Sequence, residues 1–447
     1  MYSRLQSLDE KNSPIRVAII GCGRFGSMVA VQVMHAPGME LSILCDMDSA
    51  RAFETLSLAG QIDSQPIMTS KIGQANDALS KGKLVVTDNV KVAIESKVDI
   101  IIEATGNPDA GARHIFNSIM AGKHVINVTV ETDVLVGLFL KTMADKAGVV
   151  YSLVYGDQPG NIDELYDWAV STGFEVVAAG KGTRYLPEFR KGKPAEALSR
   201  YGLSEEQVMN SDLNPQMYNS FQDGTKSAIE MCAVANMTGL VPDIPGMHQP
   251  PAGIDEIPEI LRPIEDGGIL RNKGVVEVVS CIGLDGKDVP NPMRWGVYVV
   301  ITTDNPYLLT CLQDYGLAMD STGKYALMYR PYHLVGMEAP ISIAKACLYG
   351  EATGAPRSIV GEVVSRTKRQ LEPGEVLDGE GGSLAYGSLM EAVPARKQEF
   401  LPIGLSAGAT LTRRVAVDTN ITMSDVKLPP NTFVDHIRQI QNATLAL

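Results

Sequence analysis

Charged residues in two otherwise glycine-rich or apolar stretches have the types and spacing for acid–base chemistry. Lys181 and Arg184 stand in the basic segment Gly180-Lys-Gly-Thr-Arg184, within a chain whose formal net charge is −13. Glycines on both sides of Lys181 let the backbone approach a ligand, and the two cations suit a phosphate or a polarised carbonyl. We therefore predict functional roles for Lys181 and Arg184. The basic residues that follow are expected to be solvated: Arg190, Lys191 and Lys193.

A second group of charges opens a helix that is otherwise apolar. Asp223 has the position of an N-cap, and Lys226 and Glu230 lie one helical turn apart on one face. One interpretation is a cap followed by an ordinary ion pair. The alternative is a functional site, because the stretch 228–237 is almost wholly apolar and a buried charge is costly without a task or a close partner.

Three further residues, and a second role for Glu230, are weaker candidates. Asp157 follows a predicted strand, and its carboxylate, with Glu230 as a second ligand, would suit Mg²⁺ or Mn²⁺. Ser220 would help Arg184 to hold a phosphate. His333 could reach an anionic substrate, although a lone histidine is more often structural.

The most specific motif is a glycine-rich turn between a strand and a helix. Residues 16–20 are mostly β-branched or apolar, and Gly21-Cys22-Gly23-Arg24-Phe25-Gly26 follows at once. A second apolar run then ends at Asp46, 20 residues beyond Gly26. This order is the dinucleotide-binding fingerprint, in which a helix N-terminus receives the pyrophosphate and the acid accepts a ribose hydroxyl.

The same motif leaves the choice between NAD and NADP open. Asp46 favours NAD because a carboxylate repels a 2′-phosphate, whereas Arg51 could pair with that phosphate or be an ordinary solvated helix residue. Thr105 and Gly106 follow another buried strand, in Glu103-Ala-Thr-Gly-Asn-Pro108. Ligands of parallel sheets bind beyond the carboxyl ends of the strands, so both are predicted to lie near the cofactor.

Alternating strand and helix patterns position these residues. The alternation over residues 1–155 predicts a Rossmann domain, a doubly wound parallel α/β sheet. Residues 156–355 are predicted to form a mixed α/β substrate and dimerisation domain, in which 241–270 is a long loop or lid. Residues 356–447, with short strands and many turn residues, are predicted to form a small β module.

Composition excludes several classes of protein. The negative net charge argues against nucleic-acid binding, which requires a basic face. The six cysteines show no metal-binding spacing and fit a reduced, cytoplasmic protein. We expect no signal peptide, and no run approaches the 18 or so apolar residues that a membrane span requires.

Taken together, the glycine fingerprint, the Glu103-Ala-Thr-Gly-Asn-Pro loop, the mixed middle region and the terminal β module resemble homoserine dehydrogenase-like oxidoreductases with a C-terminal SAF-type β-clip. More narrowly, the chain is similar to the 1-deoxy-D-xylulose 5-phosphate reductoisomerase-like enzymes, which make 2-C-methyl-D-erythritol 4-phosphate for isoprenoid synthesis. The resemblance implies a cytoplasmic homodimer, NADPH, a divalent cation and a small phosphorylated substrate. By similarity to homoserine dehydrogenases it assigns acid–base roles to Asp223 and Lys226.

Two other functions remain open at this point. One is an NAD(P)-dependent oxidoreductase that acts on another small hydroxy acid or sugar derivative without isomerisation. The other is a non-enzymatic protein that senses a dinucleotide.

Overall fold

The computed structural model describes residues 1–60, 65–201, 206 and 213–445. Contacts within the chain divide it into two compact units. Unit 1 contains Met1–Gly160, Leu334–Pro356 and the described residues from Thr432 onward, whereas unit 2 contains Asn161–His333 and Arg357–Asn431. The three consecutive domains of the sequence analysis stay a prediction.

Helices and strands are numbered in chain order. The first half of the chain contains α1 (Tyr2–Glu10), β1 (Ile15–Ile20), α2 (Arg24–His35), β2 (Met39–Cys45), α3 (Ser49–Leu58), β3 (Ile67–Met68), α4 (Ile72–Ser80), β4 (Val85–Thr87), α5 (Val90–Glu95), β5 (Ile100–Glu103), α6 (Pro108–Met120), β6 (His124–Asn127), α7 (Val130–Ala147), β7 (Tyr151–Leu153), α8 (Gln158–Ser171), β8 (Glu175–Thr183), α9 (Pro194–Arg200) and α10 (Pro215–Gln222). The second half contains α11 (Thr225–Thr238), β9 (Val241–Pro242), α12 (Ile257–Ile260), β10 (Val275–Ser280), β11 (Val297–Thr302), α13 (Pro306–Asp314), β12 (Ala318–Met319), β13 (Ala326–Arg330), α14 (Ala339–Tyr349), β14 (Gly361–Thr367), β15 (Ala385–Glu391), α15 (Ala392–Lys397), β16 (Thr410–Leu411), β17 (Val426–Lys427) and α16 (Phe433–Thr444).

Unit 1 is built on a seven-stranded sheet with the order β3-β4-β2-β1-β5-β6-β7. Every pairing in it is parallel. The central strands β1 and β5 are almost wholly buried, as expected for strands covered on both faces. The predicted Rossmann-like sheet is confirmed.

Unit 2 contains a mixed six-stranded sheet with the order β12-β13-β11-β8-β10-β9. Strand β8 pairs parallel to β10 and antiparallel to β11, so Lys181 lies on a central strand. Strands β10 and β11 are buried along their whole length, which explains why both sequences are mostly apolar. The predicted mixed α/β region is therefore confirmed.

The stretch 241–270 is packed rather than open. Ala252, Ile257, Leu261 and Leu270 are buried in one cluster with Tyr298 of β11. If these side chains left the core, apolar surface would be exposed to water, and each Å² exposed costs ~25 cal/mol of free energy. The prediction of a lid over this range is therefore wrong, and the segment forms part of the core of unit 2.

The C-terminal part of unit 2 contains two small antiparallel sheets, β14-β15 and β16-β17. This agrees with the predicted β module of short strands, while its SAF-type assignment stays a prediction. Among the described residues, no helix is both long and apolar enough to cross a membrane.

Candidate functional site

The glycine turn of unit 1 has the geometry that a dinucleotide requires. Gly21 has φ +100°, and a Cβ on it would lie 2.7 Å from the Ala104 backbone. A Cβ on Gly26 would lie 1.9 Å from the Gly21 carbonyl oxygen, so only glycine lets α2 approach β1 this closely. Gly23, the N-cap of α2, has nothing within 4 Å of its Cβ position. The turn is thus tight on its inner side and open at the helix N-terminus, where a pyrophosphate would bind.

Asp46 follows β2 and braces this turn. Its Oδ2 accepts a hydrogen bond from the Cys22 backbone N–H at 2.7 Å, and its Oδ1 accepts one from the Asp48 N–H at 2.9 Å. A carboxylate has about four acceptor positions, so Asp46 can still accept from ribose hydroxyls. Arg51 is exposed on α3. The residues present therefore fit a dinucleotide.

The predicted Thr105–Gly106 loop is held by Glu103, a fully buried residue at the end of β5. Glu103 accepts hydrogen bonds from the Thr105 backbone and hydroxyl and, at 2.5 Å, from the Thr129 hydroxyl. The Gly106 N–H donates to the Thr129 hydroxyl at 3.0 Å. The network fixes this loop at the carboxyl ends of β5 and β6, where ligands of such sheets bind.

In unit 2, a buried ion pair joins β8 to α11. The Lys181 ammonium donates a short hydrogen bond to the Glu230 carboxylate, and only 7% and 5% of the two side chains are exposed. Desolvating both charges is costly, so such a pair is weak evidence for stability. It does hold a proton donor and a proton acceptor together within a mixed α/β unit.

Asp223 also has a partner, but it comes from the C-terminal β module. It is fully buried, and its Oδ2 accepts a hydrogen bond from Lys368 Nζ at 2.7 Å. Burial raises the pKa of Asp223, and Lys368 opposes this shift. Asp223 Oδ1 accepts a hydrogen bond from the Thr225 N–H at 2.9 Å, but the N-cap of α11 is Gly224, so the predicted N-cap position of Asp223 is wrong by one residue. The assignment of Asp223 and Lys226 to acid–base catalysis stays a prediction.

The other predicted substrate ligands have structural partners. Arg184 pairs with the exposed Asp288 at 3.2 Å. The Ser220 hydroxyl donates to the Met217 carbonyl of its own helix, and His333 Nδ1 contacts the Trp295 carbonyl oxygen at 2.7 Å. These contacts explain the three side chains without a ligand, so their substrate roles also stay predictions.

Glu277 is a buried charge that the sequence analysis missed. It lies in the middle of β10, fully buried, and accepts hydrogen bonds from the backbone N–H groups of His248, Gln249 and Val278. Burial raises its pKa despite these bonds. The signal was present in Val275-Val-Glu-Val-Val, because a lone charge inside an apolar strand requires a partner. Its role is to fix the loop of Gln249, which has φ +53°.

The predicted metal ligands do not fit a divalent cation. Glu230 is bonded to an ammonium group, which would repel a cation at the same oxygen. Asp157 Oδ1 accepts from the Gln158 N–H at 2.9 Å. Within the described ranges, no three His, Cys, Asp or Glu side chains are grouped closely enough to hold a metal. No chemical step is assigned to a metal at these residues.

Comparison with known proteins places an oxidoreductase domain in the middle of the chain. Residues 156–339, less than half of the chain, match the family model described as the catalytic domain of the oxidoreductase DRL. A search of curated protein sequences finds no significant match.

Solved structures that match the chain are distant. They include apo scyllo-inositol dehydrogenase from Lactobacillus casei (13% identity, TM-score 0.27, 38% of this chain and 46% of that one). An oxidoreductase from Agrobacterium radiobacter in complex with NAD⁺, L-tartaric acid and magnesium matches at 13% identity and TM-score 0.28, over 38% and 44% of the two chains. A DOX-P reductoisomerase in complex with magnesium matches at 16% identity and TM-score 0.32, over 49% and 57%. The aligned region thus spans about half the length of each of these proteins.

The family match and the Rossmann-like unit together support an NAD(P)-dependent oxidoreductase. The two features are independent, because the matched residues begin after the last strand of the parallel sheet.

Proposed function

We propose that this chain is an NAD(P)-dependent oxidoreductase that interconverts a carbonyl and a hydroxyl group on a small anionic substrate. The observation that carries the proposal is the buried Lys181–Glu230 pair, which lies within the residues that match an oxidoreductase catalytic domain. A bound nicotinamide cofactor would supply or remove the hydride.

Lys181 would manage the proton at the substrate oxygen. In the reducing direction its ammonium donates a proton as negative charge develops on that oxygen, and in the oxidising direction the amine accepts the hydroxyl proton. Glu230 would act as a positioning residue, since its carboxylate accepts a hydrogen bond from the Lys181 ammonium and holds that side chain in place.

The cofactor would be held by the glycine turn and Asp46. We propose NADPH as the cofactor, as the family resemblance implies, with Arg51 as the residue that pairs with the 2′-phosphate. The experiment compares KM for NADPH and NADH in the wild-type protein and in Arg51→Ala. A selective rise in the NADPH KM supports this assignment, whereas an unchanged ratio contradicts it.

For the specific reaction we propose reductive isomerisation of 1-deoxy-D-xylulose 5-phosphate to 2-C-methyl-D-erythritol 4-phosphate. The sequence resemblance and the DRL match support it. The test incubates the purified protein with this phosphoketose, Mn²⁺ and NADPH and follows nicotinamide absorbance. No oxidation of NADPH with this substrate rules the reaction out.

Redox chemistry without isomerisation, on a hydroxy acid or sugar derivative, is the second candidate. It is favoured by the Lys181–Glu230 bond, because that bond gives Glu230 a task other than binding a metal. Activity that survives complete removal of divalent cations by a chelator supports this candidate over the reductoisomerase.

A further inference from the structure

We infer that Arg294 binds the oxyanion end group of the substrate, on a surface of unit 2 that also contains two of the predicted substrate ligands. This surface, called here the Arg294 patch, consists of the side chains of Arg184, Tyr201, Arg294, Trp295 and His333. The inference rests on the proposed function and adds to it the chemical group that is recognised and the residue that recognises it.

The guanidinium group of Arg294 contacts two aromatic rings. Its central carbon lies 5.0 Å from the centre of the Trp295 ring and 5.4 Å from the centre of the Tyr201 ring. An aromatic face attracts a guanidinium group without using its N–H donors, which point outward in the plane of the group. The two rings therefore restrict the arginine side chain and leave its hydrogen-bonding edge available.

The charges of the patch favour an anion. Among the described residues, none forms a hydrogen bond or an ion pair with the Arg294 guanidinium. Burial raises the pKa of the Cys281 thiol, and the positive charges of Arg294 and Arg184 oppose this shift, so both arginines lie near that thiol. Arg184 is paired with Asp288 at 3.2 Å. The charge of Arg294 is therefore left for a ligand, and an arginine fork matches the oxygens of a phosphate or carboxylate.

A close backbone contact brings the patch against the strand that carries Lys181. A Cβ on Gly182 would lie 1.5 Å from the Met293 carbonyl oxygen, so only glycine permits this approach. Val297 is the strand neighbour of Lys181 on β11. Three residues of chain span at most ~11 Å, so the backbone of Arg294 lies within that distance of Val297. The patch thus lies beside the end of β8, the strand of the proposed proton donor.

Trp295 adds an apolar surface for the carbon skeleton of a ligand. It is 47% exposed, although its ring contacts Arg294 and lies 6.3 Å from the His333 ring, centre to centre. His333 Nδ1 also contacts the Trp295 carbonyl oxygen at 2.7 Å and so helps to fix this residue. An exposed indole beside an anion-binding arginine suits a small ligand with a short carbon chain and a charged end group.

The fluorescence of Trp295 provides a direct test. The chain has two tryptophans, and Trp168→Phe leaves Trp295 as the single indole while it preserves a ring against Phe174. The full-length protein in this background is titrated with glycerol 3-phosphate, glycerate and uncharged glycerol. We expect at least one of the two anions to change the emission, because it neutralises a cation 5.0 Å from the indole ring. Glycerol should have no effect.

Arg294→Gln should weaken the binding of that anion by about 10-fold or more, the effect of losing a charged hydrogen bond. Calorimetry is the second readout, since the substitution itself changes the surroundings of Trp295. Arg294→Lys should recover part of the affinity, because it keeps the charge but lacks the planar fork. The anion that binds more tightly identifies the end group as a phosphate ester or a carboxylate.

Arg271→Gln is the matched control. Arg271 is also exposed in unit 2, and its side chain forms no hydrogen bond or ion pair with a described residue. Equal binding by Arg294→Gln and the wild type overturns the inference, as does an equal loss in Arg271→Gln or failure of the wild type to bind either anion. These titrations need no turnover, so anion binding without any redox activity would refute the proposed reaction and leave the assignment of Arg294 standing.

Discussion

At the scale of single residues, the ion pair of Lys181 and Glu230 makes the sharpest prediction. Lys181→Met should lower kcat by ~10²–10⁴-fold, the usual contribution of a general acid or base. Glu230→Gln should keep the lysine in place while removing its charged partner, so we expect a smaller loss and a shifted pH–kcat profile. Steady-state kinetics over a range of pH measures both effects.

The control for this pair lies in the same unit. Lys273 pairs with Glu175 at 2.9 Å, and both side chains are at least one-third exposed. Lys273→Met should therefore leave kcat unchanged. A Lys181→Met enzyme with wild-type kcat would contradict the proposed role.

The buried carboxyl group of Asp133 should make the free energy of unfolding depend on pH. Burial raises its pKa to about 7, although the Tyr151 hydroxyl donates to its Oδ1 at 2.7 Å. Unfolding restores a pKa of about 4, so the folded state binds more protons between these values. Asp133 therefore stabilises the folded state fully below about pH 4, and this stabilisation is lost as the pH rises towards 7. Over that range the free energy of unfolding falls by on the order of 3–4 kcal/mol.

Asp133→Asn is the test of that dependence. We expect the variant to unfold at a higher denaturant concentration than the wild type at pH 8, and its midpoint to vary less between pH 5 and 8. A wild type and a variant with parallel stability–pH curves would show that the buried carboxylate does not titrate in this range. Chemical denaturation at several pH values measures this.

At the scale of elements, the glycine turn separates a packing role from a binding role. Gly26→Ala places a Cβ 1.9 Å from the Gly21 carbonyl oxygen and should cost ~1–3 kcal/mol. Gly23→Ala meets no atom within 4 Å and has ordinary φ, so the fold should tolerate it. Because that methyl group would enter the space for the pyrophosphate, it should still weaken dinucleotide binding.

Thermal unfolding and cofactor titration distinguish the two substitutions. The expected result is a lower Tm for Gly26→Ala only, with weaker NAD(P)H binding in both variants. Undiminished cofactor affinity in Gly23→Ala would refute the placement of the pyrophosphate at the α2 N-terminus.

Another prediction at this scale concerns the bond between the C-terminal β module and the start of α11. Lys368 is 4% exposed and Asp223 is fully buried. Lys368→Met leaves the Asp223 carboxylate uncompensated and should destabilise unit 2 by ~3–5 kcal/mol. The double variant Asp223→Asn/Lys368→Met should recover much of this loss, as a double-mutant cycle by denaturation would show. Equal destabilisation in the single and double variants would contradict an ion-pair origin.

At the scale of the whole molecule, the last helix completes the first unit. Phe433 of α16 packs on Phe116 with ring centroids 5.8 Å apart, and Arg438 and Gln441 donate to the Leu135 carbonyl. Deleting residues 432–447 should therefore lower the Tm of the Rossmann unit and weaken cofactor binding, because it exposes α6 and α7. The replacement Phe433→Ala should give a milder loss in the same direction. Calorimetry that finds an unchanged Tm after deletion would contradict this.

Local patterns were sufficient for some of these features. The strand–glycine–helix–strand–acid order lies within residues 16–46, and its geometry follows from neighbouring residues, so sequence predicted it directly. Lys181 and Glu230 were likewise visible, because charges in apolar elements are rare. Their bond to each other was not, since a helical i,i+4 partner for Glu230 stood closer in sequence than a lysine 49 residues away.

The sequence by itself determined the alternating elements, the glycine turn and the acid that braces it, because each depends on backbone geometry and side-chain period over a few residues. Only the tertiary structure decided which charges meet. Lys368 reaches Asp223 across 145 residues, and Lys181 reaches Glu230 across 49. Such partners are brought together by the packing of elements that are distant in sequence. Because an unpaired buried charge is costly, the sequence indicates that each buried charge has a partner, but it does not identify that partner.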